Sequence, residues 1–188
     1  MTLLSEILTF NESFVQEKRY EKYSTTKFPD KRIVILTCMD ARLTELLPRS
    51  MNLRNGDAKI IKSAGAAVTH PFGGIMRSII IAVYELQADE VFIIGHHDCG
   101  MSSLNTSKII KTMVDRGIDQ RLFETLKYSG IDMEDWLRGF NDVTDSVKQS
   151  VENVRNHPLM DPKVAVHGLV ADPSTGQLNT IIDGYHFL

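Results

Sequence analysis

Cysteine is scarce in this chain: 188 residues carry only two, Cys38 and Cys99. Two thiols cannot build the disulfide framework of a small secreted scaffold or the four-thiolate cage of a structural zinc module. Long apolar runs are missing too, and none reaches the roughly 18 residues that a membrane span needs. Charge of one sign is missing: 21 Lys+Arg against 24 Asp+Glu leaves a net charge of −3, which gives no footing for nucleic acid or a membrane surface as partner. No Gly-x-Gly-x-x-Gly follows a strand-like run, which argues against a dinucleotide-dependent dehydrogenase. No Pro-Cys-x-x-Cys accompanies a His-x-Glu, which argues against a zinc base deaminase. The first twenty residues carry acids and lack a small-residue cleavage pattern after a long apolar stretch. The expected compartment is therefore the cytoplasm, where a pair of cysteines serves metal binding or catalysis rather than a disulfide.

What is present reads as one globular domain spanning residues 1–188, with enough apolar sequence for a full core. Leu4, Ile7, Leu8, Phe10 and Phe14 recur at helical spacing with Glu6, Asn11, Glu12 and Glu17 between them, which predicts an amphipathic helix in an N-terminal arm over residues 1–30. The polar residues 21–32, with Pro29-Asp30, form its linker. Residues 33–37 are a continuous β-branched and apolar run, as in a strand buried on both faces. Leu43, Leu46 and Leu47 predict a short helix ending near Pro48, and residues 58–61 a second strand. Residues 63–74, rich in Gly and Ala, read as a loop near the site. Ile75, Ile79, Val83 and Leu86 mark a long apolar helix, expected to be covered on more than one side. Residues 90–94 form a third strand. Residues 101–156 are mostly polar with helical period, their last helix marked by Val143, Val147, Val151 and Val154 and stopped by His157-Pro158. Residues 164–170, a turn over 172–176 and residues 178–182 read as a hairpin. The expected fold class is α/β, a mostly parallel sheet with one antiparallel edge strand, flanked by helices.

Both cysteines sit where an apolar run ends. Cys38-Met39-Asp40-Ala41-Arg42 follows residues 33–37, and His96-His97-Asp98-Cys99-Gly100 follows Val91 to Gly95. If the first and third strands are parallel neighbours, both motifs leave the sheet at one edge, where α/β folds build their sites. Cys38, His96 and Cys99 then form a Cys₂His set, the donor set of a catalytic zinc site that keeps a fourth position open. On an extended segment, Cys38, Asp40 and Arg42 project to one side. A bidentate Arg42–Asp40 pair would hold Asp40 ready to accept a hydrogen bond from zinc-held hydroxide; broken, it would free Asp40 to close the site as fourth ligand. His97, adjacent to His96, is poorly placed to share the ion and reads as a supporting or packing residue.

These motifs resemble those of the β-class carbonic anhydrases, with high specificity from about residue 31 to 102 through Cys38-Met39-Asp40-Ala41-Arg42, Ser63-Ala64-Gly65 and His96-His97-Asp98-Cys99-Gly100, and more loosely through Asn153 to the terminal hairpin. The short length and the Met-Asp-Ala form are similar to a compact bacterial subgroup. Lys62-Ser63 stands where many members have Arg-Asn. The resemblance implies a zinc lyase that hydrates carbon dioxide to bicarbonate by metal-held hydroxide. It implies zinc on Cys38, His96 and Cys99, an Asp40–Arg42 dyad, and substrate contacts from the Ala64-Gly65 backbone. It also implies a homodimer or dimer-based oligomer in which the N-terminal helix reaches over its partner. The alternatives are hydrolysis of carbonyl sulfide or carbon disulfide on the same scaffold, or a non-catalytic zinc-binding module.

Overall fold

The computed structural model describes all residues 1–188. Five strands, β1 (Ile33–Cys38), β2 (Ala58–Ser63), β3 (Glu90–His96), β4 (Ala165–Ala171) and β5 (Leu178–Ile182), form one sheet in the order β2-β1-β3-β4-β5. All neighbours are parallel except β4 and β5, which pair antiparallel at the edge. The expected fold class is therefore observed. All six residues of β1 are buried, as a central strand between helical layers requires.

Alternation along β1 divides the core in two. Val34 and Leu36, with Val91, Ile93, Val166 and Val170, face α3 (Gly74–Tyr84) and α7 (Val143–Arg155). Ile33 and Ile35, with Ile94, face α2 (Leu43–Ser50) through Leu43 and Leu47. Asp142 caps α7 by accepting the Asp145 N–H at 3.0 Å, and Val147, Val151 and Val154 are buried, as their spacing predicts. The valine stripe is seated on two glycines of neighbouring strands. A Cβ on Gly95 would lie 2.7 Å from Val143 Cγ2, and one on Gly168 would lie 2.8 Å from Val147 Cγ1. Between β3 and α7 the polar stretch resolves into α4 (Thr106–Asp115), α5 (Arg121–Tyr128) and the single turn α6 (Met133–Trp136).

Three local expectations are corrected. Pro48 lies inside α2 rather than at its end; in a two-turn helix its ring opposes only Thr44, in the first turn, and its carbonyl accepts the Leu53 N–H at 2.8 Å. The apolar helix α3 stops at Tyr84, leaving Leu86 beyond it, because Gln87 takes a left-handed turn (φ 60°). That helix buries one face, through Met76, Ile79 and Ala82, while Ile81 and Tyr84 are exposed. The N-terminal helix α1 (Leu3–Gln16) forms as the spacing predicts, starting from a Thr2–Ser5 capping box, but buries none of its residues. Its aromatic face stacks Phe14 on Tyr23, with centroids 6.4 Å apart. No helix is long and apolar enough to cross a membrane.

Candidate metal centre

Parallel pairing of β1 with β3 sets Thr37 level with Ile94, so Cys38 and His96 leave the sheet at the same edge. The chain then turns back through Asp98 in the left-handed region (φ 52°) and presents Cys99. The two sulfurs lie 3.9 Å apart, and the two sulfurs and a His96 ring nitrogen all lie within 4.8 Å of one another. Two thiolates on a tetrahedral zinc, each about 2.3 Å from the ion, stand about 3.8 Å apart. All three residues are buried. Burial of polar atoms without partners is costly, yet His96 Nε2 is buried with no hydrogen-bond partner. Its other nitrogen, Nδ1, donates to the His97 carbonyl at 2.8 Å, which leaves the Nε2 lone pair free to serve as a ligand. The donor set, its spacing and this bare nitrogen all fit zinc.

The thiols are electrostatically unequal. Burial raises the Cys38 thiol, but the His96 ring and the backbone N–H groups of Asp40 and Gly65 outweigh it and bring the thiol below its ordinary range. Burial drives Cys99 up, and the neighbouring Cys38 adds to the rise. Contact with Cys38 raises His96. A bound cation's charge would allow both sulfurs to be anionic together.

Asp40 stands beside this triad, its Oδ2 3.9 Å from His96 Nε2. Arg42 grips it through Nε to Oδ1 at 3.0 Å and Nη2 to Oδ2 at 2.9 Å. The guanidinium and the Arg42 backbone N–H hold the carboxyl down to about 2, against an ordinary 3.8. The way the pair forms corrects the sequence reading. Arg42 is not on an extended segment; it has helical φ −62° and ψ −28° at the start of α2, and its own N–H donates to Asp40 Oδ1 at 2.9 Å. An Asp-initiated turn folds the arginine back onto the carboxylate.

The expected Ala64-Gly65 segment directly follows Ser63, the register partner of Cys38, and the Gly65 backbone helps to lower the Cys38 thiol. Gly65 has φ 71°, and a Cβ there would lie 2.7 Å from Phe140 Cε1, so only glycine meets both demands. The structure brings Cys38, Asp40, Arg42, Ala64, Gly65, His96 and Cys99 to one place. His97 is exposed; its carbonyl, not its ring, supports His96.

A family model for carbonic anhydrase matches residues 33–178. The chain belongs to the β-carbonic anhydrase family. It is 58% identical over 186 residues to the "Putative carbonic anhydrase YtiB" of Bacillus subtilis, covering 99% of this chain and 100% of that one. The crystal structure of β-carbonic anhydrase isoform I from Trichomonas vaginalis superposes with a TM-score of 0.90 at 35% identity, covering 98% of this chain and 100% of that chain. A carbon disulfide hydrolase from Acidithiobacillus thiooxidans is 31% identical over 159 residues, covering 79% of this chain and 76% of that one.

In this β-carbonic anhydrase family member several residues at the site make contacts that the sequence motifs do not announce. Asp98 Oδ2 and the Asp98 carbonyl each accept from Arg42, at 2.9 and 3.0 Å; the contact spans 56 positions and depends on the left-handed turn at Asp98. Ser63 Oγ is buried without a partner. It lines a cavity of about 370 Å³ that opens beside Ala64 and is walled by Met101, Leu104, Trp136 and Phe140. Met101 and Phe140 come from the polar stretch, where isolated apolar residues do not announce a binding wall.

Proposed function

We propose that this protein is a zinc-dependent carbonic anhydrase that interconverts carbon dioxide and bicarbonate. The observation that carries this reading is the Cys38–His96–Cys99 triad with an ionised Asp40 held at its side by Arg42. Cys38, His96 and Cys99 would hold the ion. Zinc bound there supplies a Lewis acid that brings the pKa of water toward neutrality and so provides a nucleophile for the carbon of carbon dioxide.

The chain's own residues do the rest. Asp40, kept anionic by Arg42, can only accept a hydrogen bond, so it would orient the O–H of the nucleophile beside the triad and leave an oxygen lone pair free for the carbon. Arg42 also restrains Asp40 from becoming a ligand itself. Asp98 anchors the far side of the guanidinium. The Ala64-Gly65 backbone is the proposed rim for carbon dioxide and bicarbonate. The balance is water plus carbon dioxide giving bicarbonate and a proton that leaves to buffer.

The proposed assembly is a homodimer or a dimer-based oligomer of single-domain protomers, each lending residues 1–30 as an arm over its partner. Support comes from α1, which exposes Leu3, Leu4, Ile7, Leu8 and Phe10. The proposed compartment is the cytoplasm, in keeping with two free thiols 3.9 Å apart.

A second reading is hydrolysis of carbonyl sulfide or carbon disulfide, favoured by the hydrolase relative and by the apolar wall of the cavity beside Ala64. Supplying carbon dioxide, carbonyl sulfide and carbon disulfide in turn to zinc-loaded protein separates the readings. Rapid proton release from carbon dioxide is expected, lost in Cys38→Ser and Asp40→Asn. Turnover of the sulfur gases alone would replace this reading with the second, and no turnover of any gas would leave a zinc-binding module.

A further inference from the structure

The segment beside Cys38 is held in an unfavourable shape. Gly65 and Ala66 are both left-handed, with φ 71° and 56°. Glycine takes that region freely, whereas alanine does so at a cost, because its Cβ crowds the following carbonyl. Such a conformation persists only where its surroundings over-determine it. At one end the Ser63 carbonyl accepts the Met39 N–H at 2.9 Å, which ties the segment to β1 just past Cys38. At the other end Val68 is gripped on both backbone groups by α7. Its N–H donates to Ser150 Oγ at 3.0 Å, and its carbonyl accepts from Asn153 Nδ2 at 2.7 Å.

Ser150 and Asn153 are three apart, hence neighbours on one helix face. Both residue types are indifferent helix formers, and they interrupt the apolar stripe of α7. Ser150 is buried, and its hydroxyl accepts only because it faces Val68. The Asn153 amide is oriented by Gln149, whose Nε2 donates to Asn153 Oδ1 at 3.1 Å and so turns the Asn153 NH₂ toward Val68. Neither residue is among those that form the triad or the dyad.

We propose that Ser150 and Asn153 are positioning residues for the metal centre: by clamping Val68 they hold the left-handed Gly65–Ala66 step beside Cys38. Releasing the clamp lets Ala66 relax to an ordinary φ and shifts the Gly65 backbone, two residues past the register partner of Cys38. This inference rests on the reading of Cys38, His96 and Cys99 as metal ligands.

The test uses Ser150→Ala, which removes the acceptor, and Asn153→Asp, which keeps the shape but removes the donor. Ser150→Thr retains the hydroxyl. Cobalt(II) is substituted for the native metal, because its thiolate charge-transfer absorption reports on the sulfur environment whether or not the protein turns over carbon dioxide. Stoichiometric cobalt binding with a shifted charge-transfer band is expected in the first two variants. Their kcat for hydration should fall about tenfold or more with KM little changed, as a small misplacement at the reacting centre produces. Ser150→Thr should keep the band and kcat of the original protein. Ala66→Gly, introduced into Ser150→Ala, should restore the band, since glycine holds a positive φ without help.

Folded Ser150→Ala and Asn153→Asp proteins with an unshifted cobalt band would overturn the proposal. So would failure of both to fold, which would assign the pair to stability alone. If the original protein binds cobalt but hydrates no carbon dioxide, the proposed function fails while the band shift still decides the clamp.

Discussion

On the proposed function, Asp40 decides whether this site has room for a substrate. Its carboxylate lies 3.9 Å from the His96 nitrogen that faces the ion's place, and only Arg42 restrains it. Arg42→Ala should leave the triad able to bind zinc while removing both guanidinium bonds to Asp40, so that the carboxylate, held only by the residue 42 N–H, can swing to become the fourth ligand. Metal analysis should then show full loading, and stopped-flow hydration should fall by about a hundredfold or more; a near-original rate would show that the restraint is unimportant. The same pairing fixes a pH dependence. The folded carboxyl is depressed to about 2 from an ordinary 3.8. Its contribution to stability is therefore complete above about pH 4 and is lost as the pH falls through 2. A carbon-13 NMR titration of metal-free protein should place the Asp40 midpoint near 2, and a midpoint near 4 would contradict the bidentate geometry. Residue type announced the candidate ligands that the structure brings within 4.8 Å of one another, since two thiols and an imidazole after apolar runs have few other uses. The route by which Arg42 reaches Asp40 was not legible, because a tight turn gives the same pairing as the strand alternation it replaced. Asp98 was hidden for another reason: its contact depends on the backbone turn of a separate strand end.

At the scale of elements, the central strand β1 was legible because a run buried on both faces is dominated by apolar and β-branched residues, as Ile33–Cys38 is. Helix ends were less so. Pro48 is accommodated within a two-turn helix, and α3 stops at Tyr84 although the apolar pattern continues to Leu86. What the periodicity of α7 could not reveal is its seat. Gly95 and Gly168 on adjacent strands leave a groove that the valines fill, and a glycine in a strand looks the same whether it marks a bulge, a bend or a close approach. Gly168→Ala would bring a Cβ within 2.8 Å of Val147 Cγ1 and 3.0 Å of Val151 Cγ2. Overpacking of this kind costs about 1–3 kcal/mol. Urea denaturation should show that loss with an unchanged slope, while zinc content stays stoichiometric. Unchanged stability would mean that α7 is free to shift off the sheet.

For the molecule as a whole, α1 is a long helix that buries none of its residues in the protomer. A 14-residue helix with Leu3, Leu4, Ile7, Leu8 and Phe10 exposed leaves most of its apolar face uncovered, and contiguous apolar surface of this kind marks an association face. Amphipathic spacing announced the helix but not its partner, because periodicity shows that a face needs covering and not what covers it. Sedimentation equilibrium should give at least a dimer for the original protein and a lighter species for the pair Leu4→Glu and Ile7→Glu. A monomer before substitution would remove the arm-exchange proposal.

Anomalous diffraction at the zinc edge, from crystals of zinc-loaded protein, bears most directly on the metal centre. The expected result is one peak about 2.3 Å from Cys38 Sγ and Cys99 Sγ and about 2.0–2.1 Å from His96 Nε2, with Asp40 still paired to Arg42 and the fourth position held by solvent. No peak among these three residues, or Asp40 detached from Arg42 and bound as the fourth ligand, would contradict it.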